Sequence, residues 1–155
     1  MRDIKELDSA AAEAEGWIND LVRRLGWQDR GKAYAALIGA LHALRDVLPR
    51  DEVVYFGAQL PLLLRGLYYE GWHPGAHPAA QSLSAFSERI HEAVNRDPGV
   101  DSEAIARAVF ALLAARFQRA RSRMQSLLRR GRYTPFGPLE RLAVFGRLDQ
   151  ALPNE

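Results

Sequence analysis

Glu70-x-x-His73 and Glu88-x-x-His91 are the residues of this chain whose types and spacing come nearest to metal chemistry. A spacing of three sets a carboxylate and an imidazole on one helical face. Two such motifs, joined by two further glutamates, build di-iron centres inside helical bundles. Such ligands must point inward. If Phe86 and Ile90 face the core, then Glu88, His91 and Glu92 face outward on the same helix. The other motif falls on a helix end rich in glycine and proline, and Pro74 and Gly75 interrupt the His73-x3-His77 spacing. The four histidines converge on no carboxylate set, so no metal is expected. His42 and Asp46 are four apart and could pair, which is a common surface contact and a thin basis for a proton relay. Ser82, Ser84, Ser87, Ser122 and Ser126 lie in no G-x-S-x-G elbow. No glycine-rich phosphate loop occurs. Cysteine is absent, which excludes disulfides, zinc–thiolate sites and thiol nucleophiles. The expectation is a protein that is not an enzyme, with no catalytic residue and no cofactor.

Two stretches could bind. The first is GAQLPLLLRGLYYEGWHP, residues 57–74, a nearly continuous apolar run closed by an aromatic cluster. Tyrosine and tryptophan are frequent interface anchors, which makes Tyr68, Tyr69 and Trp72 the candidate contact residues. The plainer reading is that a helix apolar on most sides is simply a central one. Arg65 stands inside the run and, if buried, needs a partner such as Asp46, Glu52 or Glu70. The second stretch is 116–132, with seven arginines and no acid. Arg116, Arg119, Arg123 and Arg130 share one side of a helix and could meet phosphates or an acidic protein. Their stems could equally cover the edge of a core. The net charge of +2 is low for a nucleic-acid binder, and no known nucleic-acid motif is present.

These residues must be carried by helices. Of 155 residues, 48% are apolar and 26% charged, in the range of an ordinary globular domain with a real core. Ser9 is a plausible cap for a helix bearing Ala14, Trp17, Leu21 and Leu25, and Gly26 stops it. Asp29 can cap the next, with Tyr34, Leu37, Leu41, Leu44 and Leu48 on its apolar face and Pro49 at its end. A third helix can start at Asp51 and Glu52, where acids suit the positive end of the helix dipole. Pro61 cannot continue it, so a break near 57–60 and a new short helix are expected. After a linker at 73–81 comes a helix through Leu83, Phe86, Ile90 and Val94. A long one follows from a Ser102 cap through Ile105, Val109, Leu112, Leu113 and Phe117 toward Leu128. Tyr133–Pro138 reads as a loop and Pro138–Leu148 as a last helix. No strand pattern is evident. The core should gather Trp17, Leu37, Leu41, Leu63, Phe86, Val109 and Phe117.

The two parts of the chain look alike. Trp17-Ile18-x2-Leu21-x3-Leu25 resembles Phe86-x3-Ile90-x3-Val94, and LLRGLY at 63–68 resembles LRRGRY at 128–133. The segments WINDLVRRLGWQDRGKAYAALIGALHALRDVLP and GAQLPLLLRGLYYEGWHP resemble a bacterial family known only as the domain of unknown function numbered 2267. That resemblance implies an all-helical fold of two similar halves and no established activity. The arginine tract departs from it, since a more acidic second half would be expected.

The chain therefore reads as one all-α domain, a bundle of about six to seven helices, with related halves at 9–72 and 82–150. No run approaches the ~18 apolar residues of a membrane helix. Met1–Glu6 alternates in charge, which is unlike a secretory leader. A cytoplasmic protein is expected, and its nineteen arginines against two lysines suggest a GC-rich bacterial genome. Its function would be association of helix faces, with a second copy or another protein as partner.

Overall fold

A computed structural model describes the backbone of residues 4–75 and 83–129, and the side chains of 4–75 and 85–117. The described residues form six helices: α1 (Lys5–Leu25), α2 (Arg30–Val47), α3 (Arg50–Gln59), α4 (Leu62–Tyr69), α5 (Leu83–Ala93) and α6 (Ser102–Arg129). No strand occurs among them, so the fold is all-α. The chain divides into two compact units, Met1–Val109 and Phe110–Glu155. In the second unit, Leu112, Leu113 and Phe117 are buried. The expected loop at 133–138 and last helix at 138–148 lie outside the described residues.

The first unit is built around α2, which packs against α1, α4 and α5. Its composition explains the position. Ala33, Ala36, Gly39, Ala40 and Ala43 are buried and small, so neighbouring helices approach closely from several sides. Leu37, Leu41 and Leu44 fill the spaces between. Each fully buried leucine is worth about 1.5–3 kcal/mol as an upper bound. The other large core residues are Trp17 and Leu21 from α1, Leu64 and Tyr68 from α4, Phe86 and Ile90 from α5, and Ile105 and Val109 from α6. The 60–72 run is thus not the central helix. Leu63, expected in the core, is 41% exposed. Leu64 and Tyr68, four apart, take the inward face of α4 and turn Leu63 away.

The helix ends follow local chemistry, with two corrections. α1 starts at Lys5 behind Ile4, ahead of Ser9, and has no side-chain cap. Its last turn closes on Gly26, whose φ of 67° is the left-handed geometry glycine adopts freely. Asp29 caps α2 by accepting from the Lys32 amide at 3.0 Å. α6 is capped by Asp101, one residue before Ser102: its carboxylate accepts from the Glu103 and Ala104 amides at 3.0 and 3.2 Å.

α2 and α5 run antiparallel. Asp46 meets Arg89 at 3.3 Å near one end, and Lys32 meets Asp97 at 3.0 Å near the other. Lys32 holds the Asp97 carboxyl below the usual carboxylate range through that contact. Between them, Gly39 lies so close to α5 that a Cβ there would stand 2.3 Å from the Ala93 Cβ. Gly39→Ala should therefore destabilise. Overpacking of about 1–3 kcal/mol outweighs the helix propensity of up to about 1 kcal/mol that alanine adds, for a net loss of about 1 kcal/mol. Adding Ala93→Gly should relieve the clash. Urea unfolding of both single variants and the double gives the coupling, and additive effects would refute the close contact.

Candidate functional site

Pro61 lacks an N–H and breaks the 50–69 segment into two short helices. A break leaves carbonyls without helical partners, and side chains supply the donors. Arg65 is exposed and reaches back to α3: its Nε donates to the Gly57 carbonyl at 3.1 Å and its Nη2 to that of Leu60 at 2.9 Å. Asp46, Glu52 and Glu70, the partners expected of a buried Arg65, are not needed. The cation sits at the negative end of the α3 dipole.

The end of α4 is held from α2. Arg45 is 5% exposed. Its Nη1 donates to the carbonyls of Tyr68 and Glu70 at 2.9 and 2.8 Å, and its Nε to Asp46 at 3.1 Å. One turn earlier, His42 Nε2 lies 2.7 Å from the Leu67 carbonyl. A carbonyl only accepts, so Nε2 carries the hydrogen. His42 is thus committed to α4, and the pairing with Asp46 imagined for a relay does not form; Asp46 serves Arg45 and Arg89 instead. Arg45 was missed from the sequence. Its spacing of four from Leu41 and eight from Leu37 on the apolar face was the available signal.

Held in this way, α4 carries an aromatic series from core to surface. Phe56 and Tyr68 rings lie 5.2 Å apart, Tyr68 and Tyr69 4.9 Å, Tyr69 and Trp72 5.6 Å. Tyr68 is wholly buried, and its hydroxyl donates to the Val53 carbonyl at 2.9 Å. Burial pushes the pKa of that hydroxyl well up. The structure therefore places Tyr68 in the interior and leaves Tyr69 and Trp72 half-buried at the rim. The Tyr69 ring lies across Gly57, where a Cβ would stand 2.3 Å from its hydroxyl oxygen, and that hydroxyl donates to the Val54 carbonyl at 3.3 Å. On the same two helices Val54, Tyr55, Leu62 and Leu63 are 50, 44, 60 and 41% exposed. The sequence pattern did not mark these four as surface residues.

The remaining candidates are dispersed. Glu88 pairs with Arg96, and His91 lies against the Asp97 carbonyl at 3.1 Å. His73 Nδ1 accepts from the Gly75 amide. Among the described residues no three metal-ligating side chains gather. Arg116 is half-buried, while the side chains of Arg119 and Arg123, and Arg130 altogether, lie outside the described residues. Among the described residues no helix is long and apolar enough to cross a membrane.

The family described as an uncharacterized conserved protein, DUF2267, matches residues 14–128, well over half of the chain. The chain belongs to the DUF2267 family. The match runs from within α1 almost to the end of α6. It therefore includes the whole of the α2–α3–α4 arrangement in this DUF2267 protein. No curated protein matched the chain. The description of DUF2267 names no activity, so the reading of the site rests on its geometry.

Two outcomes follow for this DUF2267 protein. Arg45→Met keeps the stem and removes the donors, stranding the carbonyls of Tyr68 and Glu70. A loss of about 2–4 kcal/mol is expected in urea unfolding, where a loss below about 0.5 kcal/mol would show that the contacts matter little. His42 titrates below its ordinary value near 6.5, chiefly through burial. The hydrogen bond to Leu67 opposes this, and the charges of Arg45 and Arg89 reinforce it. As pH falls, the unfolded chain takes up the proton before the folded one. The His42 contribution is thus complete above about 6.5 and declines as pH drops toward the lowered folded value. Unfolding curves at about pH 7.5 and 5.5 should show that decline, and His42→Gln should make it shallower.

Proposed function

We propose that this protein works by association rather than catalysis, through the exposed edge of the α3–α4 pair, and that its partner is a second copy of the chain. The observation that carries this is the cluster of Val54, Tyr55, Leu62 and Leu63, four large apolar side chains between 41 and 60% exposed within ten residues. Isolated apolar residues on a surface need no explanation, whereas a contiguous group beside half-buried aromatics marks a contact. Tyr69 and Trp72 supply the rigid aromatic part of that edge, and a tyrosine or tryptophan anchor is typically worth about 2 kcal/mol or more.

Self-association fits the border of the patch. Arg50 and Arg65 stand beside Asp51, Glu52 and Glu70, all on the same short segment. A twofold contact brings one surface against itself, so a border of mixed sign avoids the like-charge repulsion that a single-signed one would create. Pro61 and Arg65 fix the angle of the two helices, so the patch is presented preformed and little ordering cost opposes its burial.

Light scattering on the eluting protein, from low to high micromolar concentration, is the test. A mass of twice the 17.4 kDa chain is expected. Leu62→Glu places a charge at the most exposed of the four sites and should return the protein to a monomer with an unchanged circular dichroism spectrum. Trp72→Ala should weaken the dimer by about tenfold or more. A wild-type protein that stays monomeric throughout that range refutes the proposal, as does a dimer indifferent to Leu62→Glu.

A further inference from the structure

Away from the α3–α4 edge, the seam of α2 and α5 opens into a cleft of about 330 Å³. Gly39 and Ala93 bring the two helices into contact, and the cleft lies beside that point. Three of its lining residues are small: Ala35, Gly39 and Ala93 leave room where larger side chains would fill the groove, and Ile38 adds apolar surface beside them. The ring of Tyr34, 40% exposed, stands on its border. This size and an apolar lining with a few polar groups are what a small-molecule site between helices requires.

The polar groups are Arg89, Glu92 and His42, and each keeps hydrogen-bonding capacity. Arg89 forms ion pairs with Asp46 at 3.3 Å and Glu92 at 3.8 Å. The second distance is too long for a hydrogen bond. Glu92 is bonded to Arg96 through Oε1 at 3.2 Å, while Oε2 faces Arg89 without such a bond. His42 has committed Nε2 to Leu67, which leaves Nδ1 a lone-pair acceptor. A guanidinium and a carboxylate thus stand side by side, neither saturated, at the mouth of an apolar trough.

From that arrangement we propose that the α2–α5 cleft binds a zwitterionic α-amino acid with an apolar or aromatic side chain. Its carboxylate would meet the Arg89 guanidinium and its ammonium the Glu92 carboxylate, with the side chain along Ala35 and Ile38 toward Tyr34. The two charges of an amino acid are held on one carbon, which suits neighbouring partners of opposite sign. A simple anion gains Arg89 but faces Glu92 and Asp46, and a simple cation gains Glu92 but faces Arg89, so each is rejected by a charge the zwitterion satisfies. Because Arg89 and Glu92 are 44 and 45% exposed, weak binding is the expectation.

The probe is L-phenylalanine, titrated into the isotope-labelled full chain and followed by the amide signals of Ile38, Gly39 and Ala93. Saturable shifts at these residues with a Kd near or below about 1 mM are expected. N-acetyl-L-phenylalanine, which lacks the ammonium, and L-phenylalaninamide, which lacks the carboxylate, should each bind about tenfold more weakly or worse. Arg89→Gln and Glu92→Gln lie at exposed positions and should weaken L-phenylalanine similarly while the circular dichroism spectrum holds. Absence of saturation at these amides overturns the proposal. So does equal binding of the acetylated compound, or shifts that centre on another surface.

Discussion

The first unit depends on one constraint: the carbonyls at the ends of two short helices must find donors. Pro61 forces the break, and a helix of eight or ten residues has too few internal bonds to hold its own ends. Two arginines answer from different directions. Arg65 works within the segment, folding α4 back on the end of α3. Arg45 works across the fold, tying the last turn of α4 to the central helix from a nearly water-free position. A lysine could replace neither, since each guanidinium divides its donors among several acceptors in a fixed planar fork. Asp46 completes the arrangement by balancing the buried charge of Arg45 and pairing with Arg89 on α5. One carboxylate thus links the helix that holds α4 to the helix that lines the cleft.

The second constraint is closeness. α2 can be approached from three sides because half of its ten buried residues are alanine or glycine. Such a helix contributes little apolar area per residue, and its value lies in letting larger side chains from α1, α4 and α5 reach across it. Gly39 is the extreme case, where the Ala93 methyl group packs directly on the α2 backbone. Gly57 repeats the device on a smaller scale, admitting the Tyr69 ring against α3. In both places a glycine within a helix, costly by propensity alone, permits a close approach that a side chain would block.

Much of this was legible in the sequence. Periodicity and turn residues pointed to the six helices of the described residues, the stop at Gly26, the cap at Asp29 and the break before Pro61, because each depends on neighbours within a few positions. What was not legible depends on residues far apart in the chain. Arg45 is bonded to carbonyls 23 and 25 residues later in the chain, a pairing that no local pattern states. Arg65 looked buried among leucines because composition does not say which way a short helix faces. Leu63 and Leu64 are indistinguishable by letter, and only the packing of Tyr68 decides between them. Tyr68, Tyr69 and Trp72 formed one cluster by spacing, yet the first is wholly buried and the other two stand at the rim. An apolar run states how much surface needs cover and not which part receives it.

The distribution of charge bears on what kind of work the unit can do. Catalytic groups are commonly held away from their ordinary ionisation by burial with an incomplete set of partners. Here the most buried ionisable groups, Arg45 and the Tyr68 hydroxyl, are bonded to backbone carbonyls and spend their polarity on fixing helix ends. His42 is half-committed in the same way. The polar interior is therefore a scaffold, and the unspent interactions lie at its borders: apolar area on the α3–α4 edge, and a guanidinium beside a carboxylate over the α2–α5 cleft. A rigid interior with unsatisfied edges is the arrangement that the proposed association requires. Recognition needs surfaces held in place more than it needs reactive groups.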